Sequence, residues 1–163
     1  MFIVVAVDQN WAIGYENKLL ASVPEDMKNF RRITTGKTVI LGRKTLETFP
    51  GGKPLPKRRN IILSTNTSYE VEGAEVAHSI EEMWELLNGT STEDLCVIGG
   101  ASIYKLLLPY CNQAVITKFD RAFTADTYFP NLDADSSWEV VEESEVKEHE
   151  GLEFKFVEYR RKE

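Results

Sequence analysis

Residues 2–7 read FIVVAV, a short and almost unbroken apolar run rich in β-branched side chains. Such a run is typical of a strand that is covered on both faces. Helical patterns separate several further runs of the same kind: TVIL at 38–41, NIILS at 60–64, AEVA at 74–77, LCVI at 95–98 and AVIT at 114–117. This alternation predicts an α/β fold, in which a mostly parallel central sheet of about eight strands carries helices on both faces.

The pattern changes from Trp138 onward, where WEVVEESEV and LEFKFVEY resemble two strands joined near Glu150-Gly151. We expect an antiparallel C-terminal hairpin at the edge of the sheet. A length of 163 residues with 42% hydrophobic residues suits one ordinary domain, and no internal repeat or interdomain linker interrupts it. The prediction is therefore a single domain over residues 1–163.

Two helix starts carry the capping-box pattern, in which a serine and a glutamate three residues later satisfy free backbone N–H groups. The pairs are Ser22 with Glu25 and Ser79 with Glu82. We therefore expect a helix over residues 23–34 and another after Ser79.

Composition excludes several classes of function. The formal net charge is −7, with the acid concentrated toward the C-terminus, which argues against nucleic acid as a partner. No apolar run approaches the roughly 18 residues of a membrane span, and the start lacks the pattern of a signal peptide. We expect a cytoplasmic protein without a membrane partner. Cys96 and Cys111 lie in apolar runs and fit buried free thiols, and no Cys or His spacing suggests a metal site.

Asp26 lies where a carboxylate is costly. At about 100° per residue, the apolar stripe of helix 23–34 is formed by Val23, Met27, Phe30 and Ile33, and Asp26 falls inside it. An ionised group on a buried face requires a partner, a raised pKa or a task.

Two strand ends run directly into glycine and then into a helical pattern: Gly42-Arg43-Lys44-Thr45 after TVIL, and Gly99-Gly100-Ala101-Ser102 after LCVI. Glycine lets a ligand approach the backbone, and a helix N-terminus favours phosphate. Two such junctions suggest a ligand with more than one phosphate, although each alone also fits a tight turn.

Basic residues gather in two stretches, and either a small anionic ligand or two solvated loops would explain them: Lys37, Arg43 and Lys44, then Lys53, Lys57, Arg58 and Arg59. The segment from Asp8 to Val23 is long for a loop, and fits either a functional lid or a packed surface loop. Thr117 and Arg58, taken alone, fit an ordinary strand threonine and a solvated arginine. The chain has no G-x-G-x-x-G, no NTPase phosphate loop and no G-x-S-x-G nucleophile motif.

Six segments occur in the order and spacing of one known family, from about Phe2 to Tyr159: VVAVDQNWAIG (4–14), VPEDMKNFRR (23–32), VILGRKTLETFP (39–50), PLPKRRNIILS (54–64), VIGGASIY (97–104) and ITKFD…ADTYFP (116–130). Together they resemble bacterial dihydrofolate reductase. The resemblance implies reduction of 7,8-dihydrofolate to tetrahydrofolate with NADPH as hydride donor. It also implies a role in one-carbon and thymidylate metabolism, and binding of antifolate inhibitors.

The resemblance assigns a role to each functional position. Asp26 matches the only acidic side chain of the pterin pocket, and Thr117 would hydrogen-bond to it. The other substrate positions implied are Val4, Val5, Ala6, Met27, Phe30, Phe49, Leu55, Ile98 and Tyr104, with Arg58 for the glutamate tail of folate. The cofactor positions implied are Ala6, Ile13, Gly14, Asn17 and Leu19 at the nicotinamide site or its lid, Gly42, Arg43, Lys44 and Thr45 at one phosphate turn, Ser64 and Thr65 near the 2′-phosphate, and Gly99, Gly100, Ala101, Ser102 and Ile103 at the other turn. The bond between Gly99 and Gly100 would be cis.

The chain departs from the family at the lid, where Leu20-Ala21 replaces the usual Pro-Trp. That tryptophan commonly packs beside the substrate and holds a water near the pterin, which Ala21 does not. The family's second phosphate turn also often has a basic residue where Ser102 stands, so Arg43 and Lys44 would determine more of the cofactor preference.

Two other functions remain open on the sequence. A reductase of the same fold that acts on a pyrimidine intermediate of riboflavin synthesis would keep the cofactor positions, but not the combination of Asp26, Phe30 and Arg58. A non-catalytic module that binds nucleotide or folate would bind without oxidising NADPH. We expect a monomer, because no helix or strand edge offers an obvious extra apolar face.

Overall fold

The computed structural model describes residues 1–163. The strands are β1 (Phe2–Val7), β2 (Ala12–Gly14), β3 (Thr38–Gly42), β4 (Arg59–Leu63), β5 (Glu75–Ala77), β6 (Leu95–Gly99), β7 (Gln113–Phe119), β8 (Thr127–Tyr128), β9 (Trp138–Glu143), β10 (Lys147–His149) and β11 (Leu152–Arg161). The helices are α1 (Pro24–Thr34), α2 (Arg43–Glu47), α3 (Ile80–Leu86) and α4 (Ala101–Leu107). None of them has both the length and the apolar character that crossing a bilayer requires.

The predicted mostly parallel sheet is confirmed. Strands β7, β1, β6, β3, β4 and β5 lie side by side in that order, and each neighbouring pair is parallel. β11 is antiparallel to β7 and carries β9 and β10 on its other side, which makes a sheet of nine strands. Because the parallel strands all run the same way, their carboxyl ends meet along one edge, where α/β proteins bind ligands.

The apolar runs are buried because both faces of the sheet are covered, as predicted. On one face, Ile3, Val97 and Ile116 pack in the larger core, which also contains Met83 of α3 and Leu107 of α4. On the other face, residues of β1, β3 and β6 pack against α1 and α2 and form a second core. This core contains Val4, Leu41, Ile98 and Leu46, and Phe30 packs against it. Alternate residues of one strand therefore belong to different cores.

The C-terminal hairpin is confirmed, with one difference from the sequence expectation. Its turn lies at Glu150-Gly151, and both residues have positive φ, of 47° and 81°, as in a two-residue hairpin turn. The first arm is two strands rather than one, because the chain leaves the ladder between Glu143 and Lys147. Within this break, the Ser144 hydroxyl accepts a hydrogen bond from the Phe156 N–H at 2.9 Å.

The capping box was predicted correctly for α3 and wrongly for α1. Ser79 is the N-cap of α3, and its hydroxyl accepts a hydrogen bond from the Glu82 N–H at 3.1 Å. The N-cap of α1 is Val23, without a side-chain cap, because Pro24 takes the first helical position that proline favours. The Ser22 hydroxyl lies 3.7 Å from the Met27 sulfur instead.

The two serines form a matched pair for a stability measurement. We expect Ser79→Ala to lower the free energy of unfolding by about 1 kcal/mol, the usual cost of a lost N-cap, and to lower Tm by roughly 2–4 °C. Ser22→Ala should leave both quantities unchanged, because Ser22 caps no helix. Urea and thermal denaturation of the two variants check this, and equal losses would contradict the assignment of the caps.

Candidate active site

Asp26 of α1 and Thr117 of β7 meet near the carboxyl edge of the sheet. The Thr117 hydroxyl donates a hydrogen bond to Oδ1 of Asp26 at 2.5 Å, as the resemblance implied. Thr117 is buried, with Ala6 of β1 and Phe156 of β11 as its neighbours across the ladder. Oδ2 of Asp26 accepts no hydrogen bond from the protein, so one carboxylate oxygen is available to a ligand.

Burial raises the pKa of the Asp26 carboxyl above its ordinary value, and the hydrogen bond from Thr117 opposes that rise. The two effects have the signs expected for a group moved out of water and for a bond to its charged form. No lysine or arginine forms an ion pair with Asp26. The site therefore holds one partly buried carboxylate that no cation neutralises.

We call the region between α1 and the 49–55 segment the cleft. The part of the sheet beneath it is apolar. Val4 and Ile98 are 9% and 8% exposed and belong to the same core. The Tyr104 hydroxyl donates to the Val4 carbonyl at 2.8 Å and ties α4 to β1. Burial raises the pKa of Tyr104 well above its ordinary value, so this hydroxyl keeps its proton as a donor.

Half-buried apolar side chains border the cleft on the α1 side. Phe30, Phe49 and Leu55 pack against the core that contains Val4. Met27 is 52% exposed although it lies in the apolar stripe of α1. Apolar side chains of α1 and of the 49–55 segment therefore pack against the same core and border the cleft on both sides.

Arg58 lies at the far end of the same side. Its guanidinium donates to the Pro56 carbonyl at 2.9 Å and to the Thr34 hydroxyl at 3.0 Å. Burial lowers the pKa of Arg58, and the positive charge of Arg31 lowers it further, which indicates that two guanidinium groups lie close together. No sequence pattern indicated that Arg31 acts on Arg58.

Asn60 holds the loop that carries Leu55 and Arg58, and sequence reasoning also missed it. This buried side chain accepts from the Leu55 N–H at 3.0 Å and donates to the carbonyls of Leu55 and Arg58 at 2.9 and 3.0 Å. No local pattern indicated the role, because an asparagine at a strand start also fits a turn.

The two glycine junctions lie against each other. This proximity is what one ligand with more than one phosphate would require. A Cβ placed on Gly42 would lie 3.0 Å from Cγ1 of Ile103 in α4, and one placed on Gly100 would lie 3.1 Å from Oγ1 of Thr45. Neither α2 nor α4 has a side-chain cap at its N-terminus. The bond between Gly99 and Gly100 is cis, as the resemblance implied. Ala101 and Ser102 begin α4 directly after it.

The basic residues divide into those near this edge and those away from it. The Arg43 guanidinium lies 4.4 Å from the centre of the Tyr69 ring and pairs with Glu47 at 3.1 Å. Lys44 is exposed and forms no ion pair. Ser64 and Thr65 follow β4 at the same edge, where the Ser64 carbonyl lies 2.9 Å from Nδ1 of His78. Tyr69 comes from a loop that sequence reasoning did not connect with Arg43.

Other members of the two basic stretches do not join a shared anion site. Lys37 precedes β3 at the opposite edge of the sheet and pairs with Asp94 at 2.9 Å. Arg59 pairs with Glu75 at 2.7 Å. Neither basic stretch therefore forms one anion site as a whole, because strand β3 separates Lys37 from Arg43 and Arg59 pairs with Glu75.

The segment between Asp8 and Val23 was expected to be one long loop, and the structure corrects this. It contains β2, which pairs with β8, and Gly14 lies where a Cβ would approach the Lys18 carbonyl at 3.1 Å. Ile13 is half-buried, whereas Asn17 and Leu19 are exposed, with Leu19 at 77%. The lid candidates therefore rest on a two-stranded base.

Ala21 packs at the start of α1 with a cluster formed by Val23, Phe119, Leu152 and Phe154. Ala6 belongs to the same group, so position 21 lies on the side of the site that contains Ala6. The departure from the family pattern is therefore close to the proposed pterin pocket.

Neither cysteine shares this site, and both are free and buried, as predicted. Burial raises the pKa of Cys111 to about 12 and that of Cys96 further still. No group of three or more His, Cys, Asp or Glu side chains is arranged to hold a metal ion.

Comparisons with known proteins agree with this geometry. The family model described as dihydrofolate reductase matches residues 1–161. The dihydrofolate reductase of Bacillus subtilis is 35% identical over 161 residues, which cover 98% of this chain and 93% of that protein. The corresponding Staphylococcus aureus enzyme is 37% identical over 145 residues, 89% of this chain and 86% of its own. The structure of the dihydrofolate reductase from Enterococcus faecalis, complexed with NADP(H) and RAB-propyl, superposes with a TM-score of 0.87 at 34% identity and covers 99% of this chain and 96% of that one.

Proposed function

Because this chain belongs to the dihydrofolate reductase family, we propose that it reduces 7,8-dihydrofolate to 5,6,7,8-tetrahydrofolate with NADPH. The observation that carries the proposal is the Asp26–Thr117 pair, which lies in an apolar cleft beside the two glycine junctions. One carboxylate oxygen is held by Thr117 and the other is available. This arrangement suits the N3–H and 2-amino donors of a pterin, which would bind one carboxylate as a pair.

The residues present fit both ligands. The cleft between α1 and the 49–55 segment suits a pterin and an aminobenzoyl ring, and Arg58 at its end suits the glutamate carboxylate. The backbone at Gly42–Thr45 and Gly99–Ile103 suits two phosphates, and Arg43, Lys44, Ser64 and Thr65 suit the additional 2′-phosphate of NADPH. When bound, NADPH supplies the hydride.

The chain's own contribution is orientation and electrostatics. Asp26 would fix the pterin from the N3 side, so that C6 faces the nicotinamide site lined by Ala6, Ile13 and Gly14. A carboxylate bound at N3 does not reach N5, and the proton would therefore come from water. The lid would exclude bulk water and hold the two rings in contact.

We further propose that residues 1–163 act as one domain and as a monomer in the cytoplasm. The glutamates along the edge strand β9 support a free edge, since charge opposes pairing between sheets. The buried free thiols of Cys96 and Cys111 suit a reducing compartment. We also expect 2,4-diaminopyrimidine antifolates to bind at Asp26.

The direct test is the decrease of absorbance at 340 nm when the protein is mixed with NADPH and dihydrofolate. We expect oxidation of NADPH with equimolar formation of tetrahydrofolate. Binding of both ligands without oxidation would support a binding module and contradict the proposal. Oxidation with a pyrimidine intermediate of riboflavin synthesis, but not with dihydrofolate, would equally contradict it.

We expect Asp26→Asn to fold and to lose at least about 100-fold in kcat/KM at neutral pH, with weaker binding of diaminopyrimidines. Glu25→Gln, which neutralises the exposed neighbouring carboxylate, is the matched control and should keep its activity. Near-normal turnover of Asp26→Asn in the absorbance assay would contradict the role of Asp26.

The same variant has an expected stability signature. Because the pKa of Asp26 is raised, the folded state binds this proton more tightly than the unfolded chain does. The favourable contribution of Asp26 to the free energy of unfolding is present at pH values below the ordinary pKa of aspartate. It is lost as the pH rises through the raised pKa. Asp26→Asn should therefore match or exceed the wild-type Tm at pH 7, and this advantage should disappear in acid. A lower Tm of the variant at pH 7 would contradict this.

For the cofactor, we expect neutral replacements of Arg43 and Lys44 to weaken NADPH binding about tenfold and NADH binding much less, because only NADPH has the 2′-phosphate. Lys53→Gln, at an exposed lysine outside the proposed site, is the control. Dissociation constants for both cofactors check the prediction. Equal losses of affinity for NADPH and NADH would contradict the assignment of Arg43 and Lys44 to the 2′-phosphate.

At the lid, we expect Ala21→Trp to change the affinity for dihydrofolate or the rate of lid closure by at least about threefold, because it adds a large side chain on the Ala6 side of the site. Affinity of the free enzyme for NADPH alone serves as the reference. If substrate affinity and closure rate were both unchanged, the replacement of the family's tryptophan would have no functional effect.

A further inference from the structure

Asp8 is the most completely buried carboxylate of the chain, at 1% exposure, and nothing in the mechanism above uses it. It follows directly after β1, at the carboxyl edge of the sheet. No lysine, arginine or histidine forms an ion pair with it. A buried carboxylate without a cation requires several hydrogen-bond donors instead.

Backbone N–H groups supply those donors from two separate segments. Oδ1 accepts from Asn10 at 2.8 Å and from Ala12 at 2.9 Å. Oδ2 accepts from Phe123 at 2.9 Å, a residue 115 positions away in the segment after β7. The first two bonds hold the turn that begins the lid, and the third joins this turn to residues 120–126.

The segment that Asp8 reaches is the one that supports the lid. Phe123 packs its ring edge against Phe119 in the cluster that also contains Val23. Three residues later, Asp126 donates its N–H to the Gly14 carbonyl at 3.1 Å and accepts the Glu16 N–H at 3.0 Å. The Asp126 bonds lie at the exposed outer end of the contact, whereas the Asp8 bond lies at its buried inner end.

We propose that Asp8 is a positioning residue for the lid: its carboxylate fixes the lid's base to residues 120–126 and so sets how long the lid stays closed over the bound cofactor. The inference rests on the proposed function, because Ile13, Gly14, Asn17 and Leu19 are lid positions only in that context. The two oxygens act differently. Oδ1 shapes the turn, and Oδ2 adds a buried side-chain connection between the segments beside the backbone bond from the Gln9 N–H to the Arg121 carbonyl at 3.1 Å.

Asp8→Asn separates these two tasks. The amide oxygen still accepts from Asn10 and Ala12, but an NH2 group now faces the Phe123 N–H, and two donors do not bond. We expect NADPH to leave the variant about tenfold faster than the wild type, measured by stopped-flow trapping well below the Tm. Amide hydrogen exchange should accelerate at Phe123 and Glu16, and not at Asn10.

Gln9→Ala is the matched control. Its side chain donates to Asp120 at 2.7 Å and joins the same two segments, but in an exposed position. We expect this variant to release NADPH at the wild-type rate, because an exposed hydrogen bond adds little stability beyond the bond that water would make in its place.

A merely structural role gives a different result. Asp8→Asn would then lower the Tm, while release of NADPH and its KM stayed at wild-type values, and this outcome would overturn the proposal. If Asp8→Asn does not fold, Asp8→Ser keeps a short acceptor for the turn without reaching Phe123 and is measured in the same way. In the wild type itself, an amide hydrogen-exchange rate at Phe123 that does not change when NADPH binds would also overturn the proposal.

Failure of the proposed function has its own signature. Wild-type protein that binds NADPH but does not oxidise it with dihydrofolate would contradict the reductase, while the release rates would still test Asp8. Active wild-type enzyme with equal release rates for wild type and Asp8→Asn would contradict the role of Asp8 alone.

Discussion

The hydrogen bond from Thr117 to Asp26 joins two residues 91 positions apart, and the geometry of the site depends on it. It holds α1 next to β7, while Phe30 and Ile33 of α1 pack against the second core. That packing places Phe30 on one side of the cleft and leaves the opposite side to the segment around Leu55. The apolar enclosure that stabilises α1 is also what raises the pKa of Asp26, so one contact serves folding and chemistry together.

The same edge of the sheet carries the proposed cofactor positions, because parallel strands end together. β3 and β6 are neighbours, and their terminal glycines lead into α2 and α4. The close approach of Gly42 to Ile103 leaves little room for a side chain there, and Gly100 is similarly close to Thr45. Packing between the two turns therefore favours glycine at these junctions, in addition to any approach by a ligand.

Sequence patterns predicted the elements well where burial on both faces removes polar residues, as in FIVVAV and LCVI. They failed where two local signals compete. Ser22 and Glu25 fit a capping box, but Pro24 sets the first helical position and shifts the cap to Val23. The first basic stretch divides for a geometric reason, since a strand rises about 3.3 Å per residue and carries Lys37 and Arg43 to opposite edges.

Partners from distant segments did not follow from local patterns, and the Asp26–Thr117 pair was implied only by the resemblance. Asn60 acts through Leu55 and Arg58, and Arg43 lies against Tyr69, but neither pairing follows from spacing or composition. Asp26 could be found because it violates a helical pattern that is local. Asp8 violates no pattern, since an aspartate after a strand is ordinary turn chemistry, and only the position of Phe123 distinguishes it.

At this edge, the hydrogen-bond donors around each of three aspartates determine whether its carboxylate is available to a ligand. Asp8 accepts three backbone N–H groups through both oxygens and, at 1% exposure, is closed to a ligand of its own. Asp126 is exposed, and the Glu16 N–H, with the Thr127 hydroxyl, lowers its pKa, so it holds the outer lid as a charged acceptor. Asp26 has a single partner, Thr117, and a raised pKa. Of the three, only the incompletely satisfied carboxylate keeps an oxygen for a substrate, and the satisfied ones hold the backbone around it.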